Sequence, residues 1–345
     1  MVERLHGILN NACVIDSMVP ILDYLSKRRL HENVCRFKET AEAGFARQVE
    51  YLGNDKPINR AMPAVSVYVT AYQHQPYIAE CLESILHQKC AFPFEVIVGE
   101  DGSDDGTREL CMRYAEEHRD KIRLFLRDRS ESACSFLGRT VRMNGWWCRM
   151  AARAPYIAIC EGDDFWVEPD KLAVQKAFLD AHLDAVMHAH RANAVDVSGR
   201  VLGVWPEPQP EFLGAASAIS RGGGFFATNS IMVRKALVSQ VSDEYYAFQV
   251  GDAMLVSLAI NHGRIGFSNR VMSAHRRGVP GSWTSRNAAR GTIAEFKARA
   301  VLPYILLARR GKHRGLYALR VGSLLIWSAR SSLAAAVNRM RRQGS

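Results

Sequence analysis

In the first half of the chain, short apolar runs that are typical of strands alternate with segments in which apolar residues recur every three or four positions, as in helices. Short apolar runs bounded by turn residues predict strands over residues 64–70, 94–99, 121–126 and 156–160. After the first strand, apolar side chains recur at intervals of three and four and predict a helix; they are Ile78, Cys81, Leu82, Ile85 and Leu86. A second helix is predicted over residues 107–118, with Asp105 or Thr107 as its cap. Strands alternating with helices predict an α/β fold with a parallel sheet.

The segments that flank this pattern differ from it. Residues 1–60 read as amphipathic helix, and glycine and proline break that pattern at 53–57. In the second half, a glycine-rich loop precedes a predicted strand over 230–233. An apolar helix over 253–261 and a strand over 267–273 follow, and then a loop.

Composition and charge narrow the functional class. The 345 residues are 48% hydrophobic and 23% charged, which suits one large domain with an appendage. The formal net charge of +10 is concentrated, because residues 286–345 contain thirteen Lys or Arg and one acidic residue. The rest contains 32 basic and 34 acidic residues. Nucleic acid is therefore not an expected partner, since phosphate binding needs basic residues spread over the binding face.

The sequence also predicts a cellular location. It has no apolar stretch of about 18 residues that could span a membrane, and its N-terminus lacks the apolar block of a signal peptide. The eight cysteines form no Cys-x-x-Cys pair, which favours reduced thiols over a zinc site or a disulfide framework. We expect a cytoplasmic protein.

Polar clusters follow three predicted strands, at the edge where a parallel sheet binds ligands. They are Thr70-Ala71-Tyr72, Glu100-Asp101-Gly102-Ser103 and Glu161-Gly162-Asp163-Asp164. The glycine signatures of dinucleotide-binding and P-loop folds are absent. The pair Asp163-Asp164 suits Mg²⁺ or Mn²⁺, which prefer oxygen ligands and complete their shell with substrate phosphates. The alternative is that Asp164 only caps the next helix.

In four segments the sequence resembles glycosyltransferase family 2, whose members have the GT-A fold. The acidic turn within the second segment and the acidic motif within the third are fairly specific as a pair. The four segments are residues 65–72, 95–107, 156–172 and parts of 251–283. The resemblance implies a Rossmann-like, mostly parallel sheet flanked by helices. It places the catalytic domain at 61–285, with a donor half (61–170) and an acceptor half (171–285). A helical N-terminal extension (1–60) and a basic helical C-terminal segment (286–345) complete the chain.

The resemblance implies roles for individual residues. Donor nucleotide binding falls to Thr70, Ala71, Tyr72, Asp101, Ser103 and Asp163. Mn²⁺ or Mg²⁺ would be held by Asp164 with Asp163, and His275 is a further candidate ligand. The acceptor and phosphate side comprises Glu161, Trp166, Arg276, Arg277 and Trp283. The expected partners are a nucleotide-sugar donor, here a UDP-sugar, and a glycan or lipid-linked acceptor.

Asp252 falls where the family places its catalytic base. A carboxylate opposite the leaving group would remove the acceptor hydroxyl proton, while a metal stabilises the departing nucleoside diphosphate. The resemblance thus implies a metal-dependent inverting glycosyltransferase that moves one sugar at a time, in bacterial surface-glycan synthesis. The alternative for Asp252 is an N-cap, because it directly precedes an apolar helix.

The match departs from the family in several places. Glutamate stands at 161 where the family has aspartate, and Gly278 stands where its subgroup commonly has histidine. These departures support a second hypothesis, a non-catalytic glycosyltransferase-like subunit. A sugar nucleotidyltransferase is a third, although no glycine-rich basic loop follows the first strand. Trp146 and Trp147 belong either to the core or to a platform for a sugar ring.

The C-terminal segment suggests a membrane contact. Basic residues flank apolar ones over 309–342, and such a segment can lie on an anionic lipid surface. This predicts peripheral docking on the inner face of the cell membrane. The alternative is a helical hairpin packed on the catalytic domain.

Overall fold

The computed structural model describes residues 27–53, 62–136, 139–239, 241–246, 248, 251–282 and 301–326. Predictions that concern residues 1–26, 54–61, 283–300 and 327–345 lie outside the described residues, Trp283 among them. The assignment of domain boundaries at 61, 171 and 286 stays a prediction.

The first half consists of alternating strands and helices, as its hydrophobic periods predict. Its elements are α1 (Lys27–Ala46), β1 (Glu50–Tyr51), β2 (Val65–Ala71), α2 (Ile78–Leu86), β3 (Phe94–Glu100), α3 (Thr107–Glu117), β4 (Ile122–Leu126), β5 (Ala133–Phe136), β6 (Arg139–Arg142), α4 (Asn144–Ala151), β7 (Tyr156–Glu161) and β8 (Phe165–Trp166). The four predicted strands and both helices are present, within one residue of the predicted ends.

The second half has longer strands and shorter helices. Its elements are α5 (Lys171–Ala181), β9 (Ala185–Val195), β10 (Val201–Trp205), α6 (Ala215–Arg221), β11 (Met232–Arg234), α7 (Lys235–Ser239), α8 (Asp243–Tyr246), α9 (Gly251–His262), β12 (Arg264–Arg276) and α10 (Val301–Arg310). Residues 314–326 are also helical. The sequence patterns missed β9, the longest partner of β12, and the hairpin strand β10.

One ten-stranded sheet organises both halves. Its order is β1-β4-β3-β2-β7-β11-β9-β12-β8, and β10 pairs with β9. The ladders joining β4, β3, β2 and β7 are parallel, as is the long ladder between β9 and β12. The short strand β11 runs antiparallel between the two parallel groups. The result is an α/β fold with a large, mostly parallel sheet flanked by helices.

Hydrophobic side chains cover both faces of the sheet. The five periodic residues of α2 are all buried, and they pack against the face formed by Val65, Val67 and Val69. On the opposite face, Tyr68, Ile97 and Ile159 pack in the cluster that contains α9. Because alternate residues of a strand point to opposite faces, the same strands build both cores.

The terminal helices pack on this body. Phe37 of α1 contacts Phe136 and Trp146, and Trp147 is buried with its indole N–H donating to Ala41 O at 2.9 Å. The tryptophan pair therefore belongs to the packing between α1 and α4. Tyr304 of α10 and Tyr317 lie in the same core as α9.

The described part of the C-terminal segment thus packs one face on the core that contains α9. Leu319 and Ile326 of the helix over 314–326 remain exposed. None of the described helices combines the length and the apolar character needed to cross a membrane.

Candidate active site

The strand register brings the three predicted polar clusters to one edge. Thr70 lies opposite Glu161 and Ala71 lies opposite Glu100, because β2 pairs in parallel with both β3 and β7. The backbone N–H of Gly162 donates to Thr70 O at 3.0 Å. A Cβ at position 162 would lie 2.7 Å from His74 Nδ1, so only glycine allows this approach. Residues far apart in sequence therefore meet at the carboxyl ends of three strands.

At the end of β3, carboxylates are paired with basic or hydroxyl groups. Asp101 is 2% exposed and accepts hydrogen bonds from Arg129, at 2.5 Å, and from Ser132. Burial raises the pKa of Asp101, against the opposing effects of Ser132 and Arg129. The fully buried Glu100 accepts from Arg108 at 2.5 Å and from the backbone of Ser103 at 2.7 Å. The acidic turn is thus held rigidly.

The segment after β2 lies against this turn. The backbone N–H of Gln73 donates to Ser103 Oγ at 3.0 Å, and Gln73 has a positive φ of 57°. Arg129 lies over the ring of Tyr72 at 3.3 Å from its centroid. Arg129 therefore joins the Tyr72 ring to Asp101, two residues predicted to bind the donor nucleotide.

At the end of β7, three acids lie close together. Asp164 is 1% exposed and accepts from the backbone of Arg276 at 2.8 Å, from Asn229 at 3.1 Å and from His275 Nδ1 at 3.0 Å. Asp163 is half-buried, and its carboxylate is 3.9 Å from His74 Nε2. Glu161 Oε2 and His74 Nδ1 are buried without a hydrogen-bond partner in the described part of the chain.

The electrostatics of this cluster are unfavourable by themselves. Burial, together with the charges of Asp164 and Asp163, raises the pKa of Glu161 to about 8. Burial also raises the pKa of Asp164, although His275 opposes the shift. Burial alone would lower the pKa of His275, but Asp164, Glu161 and Asp163 raise it to about 9. Crowded carboxylates of this kind attract positive charge.

The donor set fits a hard divalent cation only in part. Three carboxylates lie at this strand edge, and one of their oxygens, Glu161 Oε2, has no hydrogen-bond partner among the residues described. Such a set suits Mg²⁺ or Mn²⁺, with phosphate oxygens completing the coordination shell. No group of three acid, histidine or cysteine side chains in the described ranges already has a metal-binding arrangement. His275 donates through Nδ1 to Asp164, so a role as metal ligand would fall to its Nε2, which must be unprotonated.

The predicted acceptor-side arginines differ from each other. Arg276 is 5% exposed, donates to Asp163 O at 2.8 Å and to Glu80, and lies over the ring of Phe165. The Arg276 guanidinium is therefore buried and bonded to other protein groups. In this arrangement it is not exposed for the predicted pairing with a diphosphate. Arg277 is exposed over the ring of Trp205 at 5.1 Å and remains open.

Trp166 is also an internal residue. It is 4% exposed, its indole N–H donates to Asn229 O at 3.1 Å, and the ammonium of Lys171 lies 4.0 Å from its ring centroid. Because the Trp166 ring is buried, an acceptor cannot contact it in the described packing. This differs from the acceptor-side role that the sequence predicts for Trp166. Asp164 does not cap the next helix, because α5 begins at Lys171, after Asp170.

Asn229 is a residue that the sequence analysis missed. Its side chain donates to Asp164 and to Ala274 O, and accepts from Ser273. It thereby joins the acidic cluster to β12. The polar run 228–230, between a glycine-rich loop and a strand, was the signal that could have indicated it.

Asp252 lies in the first turn of α9 rather than before it. It is 9% exposed and accepts from the backbone N–H groups of Gly224, at 2.7 Å, and Ala253, at 2.6 Å. A Cβ at Gly223 would lie 2.7 Å from its carboxylate. Burial raises the pKa of Asp252, and no described hydrogen bond joins it to the acidic cluster. Asp252 therefore holds the glycine-rich loop against α9.

Comparison with known proteins decides the class. The profile described as "Glycosyltransferase like family 2" matches residues 63–292. The chain belongs to this family. An uncharacterized protein of Mycobacterium tuberculosis (strain H37Rv) is 28% identical to this glycosyltransferase over 275 residues, 77% of this chain and 74% of the relative. Putative glycosyltransferase EpsE of Bacillus subtilis is 33% identical over 120 residues, 35% of this chain and 40% of EpsE.

A solved structure shares the fold of this glycosyltransferase. The structure of S. aureus TarS has a TM-score of 0.52 at 18% identity and covers 76% of the chain. The chain covers 42% of TarS, less than half of it. A TarS 1–349 structure in complex with UDP-GlcNAc has a TM-score of 0.52 at 16% identity, with 76% and 71% covered. The GT-A fold implied by the sequence is confirmed.

Proposed function

We propose that this glycosyltransferase is metal-dependent and inverting, and that it moves one sugar from a nucleoside diphosphate sugar to an acceptor hydroxyl. The observation that carries the proposal is the meeting of three acids at the end of β7, where Glu161 Oε2 has no hydrogen-bond partner among the described residues. A carboxylate cluster with an excess of negative charge is suited to a cation that bridges a diphosphate.

The donor would lie across the ends of β2, β3 and β7. Tyr72 and Asp101 would border the base, and Asp101 keeps free lone pairs beside its bonds to Arg129 and Ser132. Asp163 and Asp164 would hold Mn²⁺ or Mg²⁺. When bound, the cation supplies Lewis-acid stabilisation of the departing diphosphate.

Asp252 would be the base that accepts the acceptor hydroxyl proton. Burial, which raises its pKa, makes its carboxylate more basic than an exposed aspartate. Its hydrogen bonds to Gly224 and Ala253 fix its position. One base, with no second candidate nucleophile assigned among the described residues, implies a single displacement and therefore inversion at the anomeric carbon.

The donor and product classes rest on the relatives. TarS, whose fold is similar, was solved with UDP-GlcNAc, which supports a UDP-sugar as the donor here. A role in bacterial surface-glycan synthesis, on the cytoplasmic side of the membrane, is consistent with this family. The lipid contact through 309–342 stays a prediction that exposed Leu319 and Ile326 make testable by liposome flotation of an L319S/I326S variant.

The largest effect is expected for Asp164→Asn. Donor hydrolysis and transfer would be measured against a panel of nucleotide sugars with Mn²⁺ or Mg²⁺, and donor binding by thermal shift. We expect turnover to fall about a thousandfold, because a metal-held diphosphate is worth several kcal/mol in the transition state. Asp184→Asn is the matched control, because Asp184 is exposed in a surface ion pair with Arg264.

The outcomes separate the hypotheses. A donor that stabilises the wild type only with metal, and not the D164N variant, supports the enzyme. Metal-independent donor binding that D164N leaves unchanged contradicts the proposal and favours a non-catalytic subunit.

A further inference from the structure

A second cavity lies away from the carboxylate edge. Its volume is about 690 Å³, and it opens between α1 and α4 on one side and α7 and α8 on the other. Its walls combine aromatic side chains with basic ones, among them Phe45, Trp146, Tyr246, Lys38, Arg149 and Lys235. A cavity of this volume is large enough for a small organic ligand.

The strand directions separate this cavity from the candidate active site. Helix α4 begins beside the carboxyl end of β3, where Asn144 donates to Gly99 O at 2.9 Å. It ends near the opposite edge, where Lys235 donates through its ammonium to Ala152 O at 2.6 Å and through its backbone to Pro155 O. The cavity is lined by the outer part of α4 and by the start of α7, so it lies towards the amino end of β7.

Arg149 is the unusual feature of the cavity. Its guanidinium lies over the Trp146 ring at 4.5 Å, and burial lowers its pKa, although arginine stays charged. Within the described ranges it has neither a carboxylate partner nor a hydrogen-bond acceptor. Arg149 is half-buried, so its five N–H donors are not taken up by a protein acceptor and stay open to a ligand in the cavity.

The two lysines that line the cavity already have partners within the protein, and acidic side chains are few. Lys235 donates to Ala152 O, and Lys38 pairs with Asp243 at 3.5 Å. Glu42 is the single acidic side chain among the described lining residues, and it is exposed. The net charge of the walls is positive, with Arg149 as the donor that remains available.

We propose that this cavity binds a phosphate group carried on an apolar chain, with Arg149 as its anchor. The guanidinium fork matches phosphate oxygens, and the walls of Phe45, Met150 and Val238 would bury the chain. A nucleobase is a poorer fit, because Arg149 lies over Trp146 and Lys38 lies over Tyr246. This inference is independent of the donor site and of the proposed chemistry there.

The test is isothermal titration of the full chain with octyl phosphate, inorganic phosphate and 1-octanol. We expect octyl phosphate to bind, with a dissociation constant at least tenfold lower than that of either single part. Arg149→Gln should raise the constant at least tenfold. Arg113→Gln is the matched control, because Arg113 also lies near an aromatic ring, Tyr114, but is exposed on α3.

A second variant tests the cavity without altering Arg149. Val238→Trp would fill the space and abolish octyl phosphate binding, while circular dichroism reports whether each variant is folded. Equal binding of octanol would show a purely apolar pocket, and equal binding of inorganic phosphate would show a simple anion site. Either of these results overturns the proposal. It is also overturned if R149Q leaves octyl phosphate binding unchanged, or if octyl phosphate does not bind at all.

Discussion

The ends of β3 and β7 carry similar acidic sequences but solve the problem of buried charge differently. After β3, Glu100 is paired with Arg108, Asp101 with Arg129 and Asp105 with Thr107. After β7, Asp164 accepts from His275 and from the backbone of Arg276, Asp163 lies 3.9 Å from His74, and Glu161 Oε2 has no partner among the described residues. The carboxylates at the end of β3 have partners within the protein, whereas the end of β7 has an excess of negative charge that a bound cation can balance.

This difference shows why an acidic motif alone is a weak functional signal. Both ends are polar clusters at the carboxyl edge of one sheet, where ligands bind. Only the partners decide which carboxylate is available to a cation. The following changes test that distinction.

Arg129→Ala should have the largest effect on stability. It removes the cation beside the buried Asp101, and an unpaired buried carboxylate costs about 3 kcal/mol. Urea unfolding at pH 7 measures the loss. Arg113→Ala, in an exposed pair with Glu117, should cost less than about 0.5 kcal/mol. Equal effects of the two changes would mean that the end of β3 does not depend on its ion pair.

Glu161→Gln should stabilise the metal-free protein, in contrast to Arg129→Ala. Burial and the neighbouring acids raise the folded-state pKa of Glu161 to about 8, so the wild type loses stability as pH rises from about 4.5 to 8. The variant should be more stable by up to about 5 kcal/mol at pH 9 and unchanged at pH 4, measured in urea with EDTA. A destabilised E161Q would show that the oxygen is satisfied after all. Glu109→Gln, exposed on α3, is the control and should change little.

Asp105→Ala should have the smallest effect of the three. Its carboxylate accepts from the backbone and hydroxyl of Thr107 and from the backbone of Gln75, and these hydrogen bonds lower its pKa although burial opposes them. The N-cap of α3 is Gly106, and Asp105, one residue earlier, bonds the first residue of the helix. We expect a loss of about 1 kcal/mol at pH 7, similar to that of a capping side chain. Because the folded pKa is lowered, the wild type should lose this contribution as pH falls below about 4.

The neighbouring residue provides the control for this cap. Asp104 is exposed and bonds only the side chain of Gln73 among its described contacts, so Asp104→Ala should cost less than about 0.5 kcal/mol. Similar losses for the two alanine variants would contradict a stabilising role for the hydrogen bonds of Asp105.

Much of the first half could be predicted because its signals are local. Alternation and three- to four-residue spacing depend on neighbouring residues, and they gave the strands and helices between Val65 and Glu161. Parallel pairing of these strands then predicts that Thr70, Asp101 and Asp164 lie at one edge of the sheet. The helix over 253–261 was also indicated by its continuous apolar run, with one or two more residues at each end in the structure.

The rest of the site was not predictable in this way. Arg276 and Trp166 look like binding residues in the sequence, but long-range packing buries both. Asn229 and Arg129 are unremarkable in the sequence, yet they supply the partners that distinguish Asp164 from Asp101.

The sequence by itself determined the elements, the α/β class and the acids at the strand ends, because each depends on residues that are close along the chain. Only the tertiary structure decided which of those acids are neutralised, since their partners come from other elements, as His275 does for Asp164 across more than a hundred residues. It also decided that Arg149 faces a cavity, because α1, α4, α7 and α8 form that space together. Hydrophobic period is a local property, whereas the pairing of buried charge depends on contacts that exist only in the folded chain.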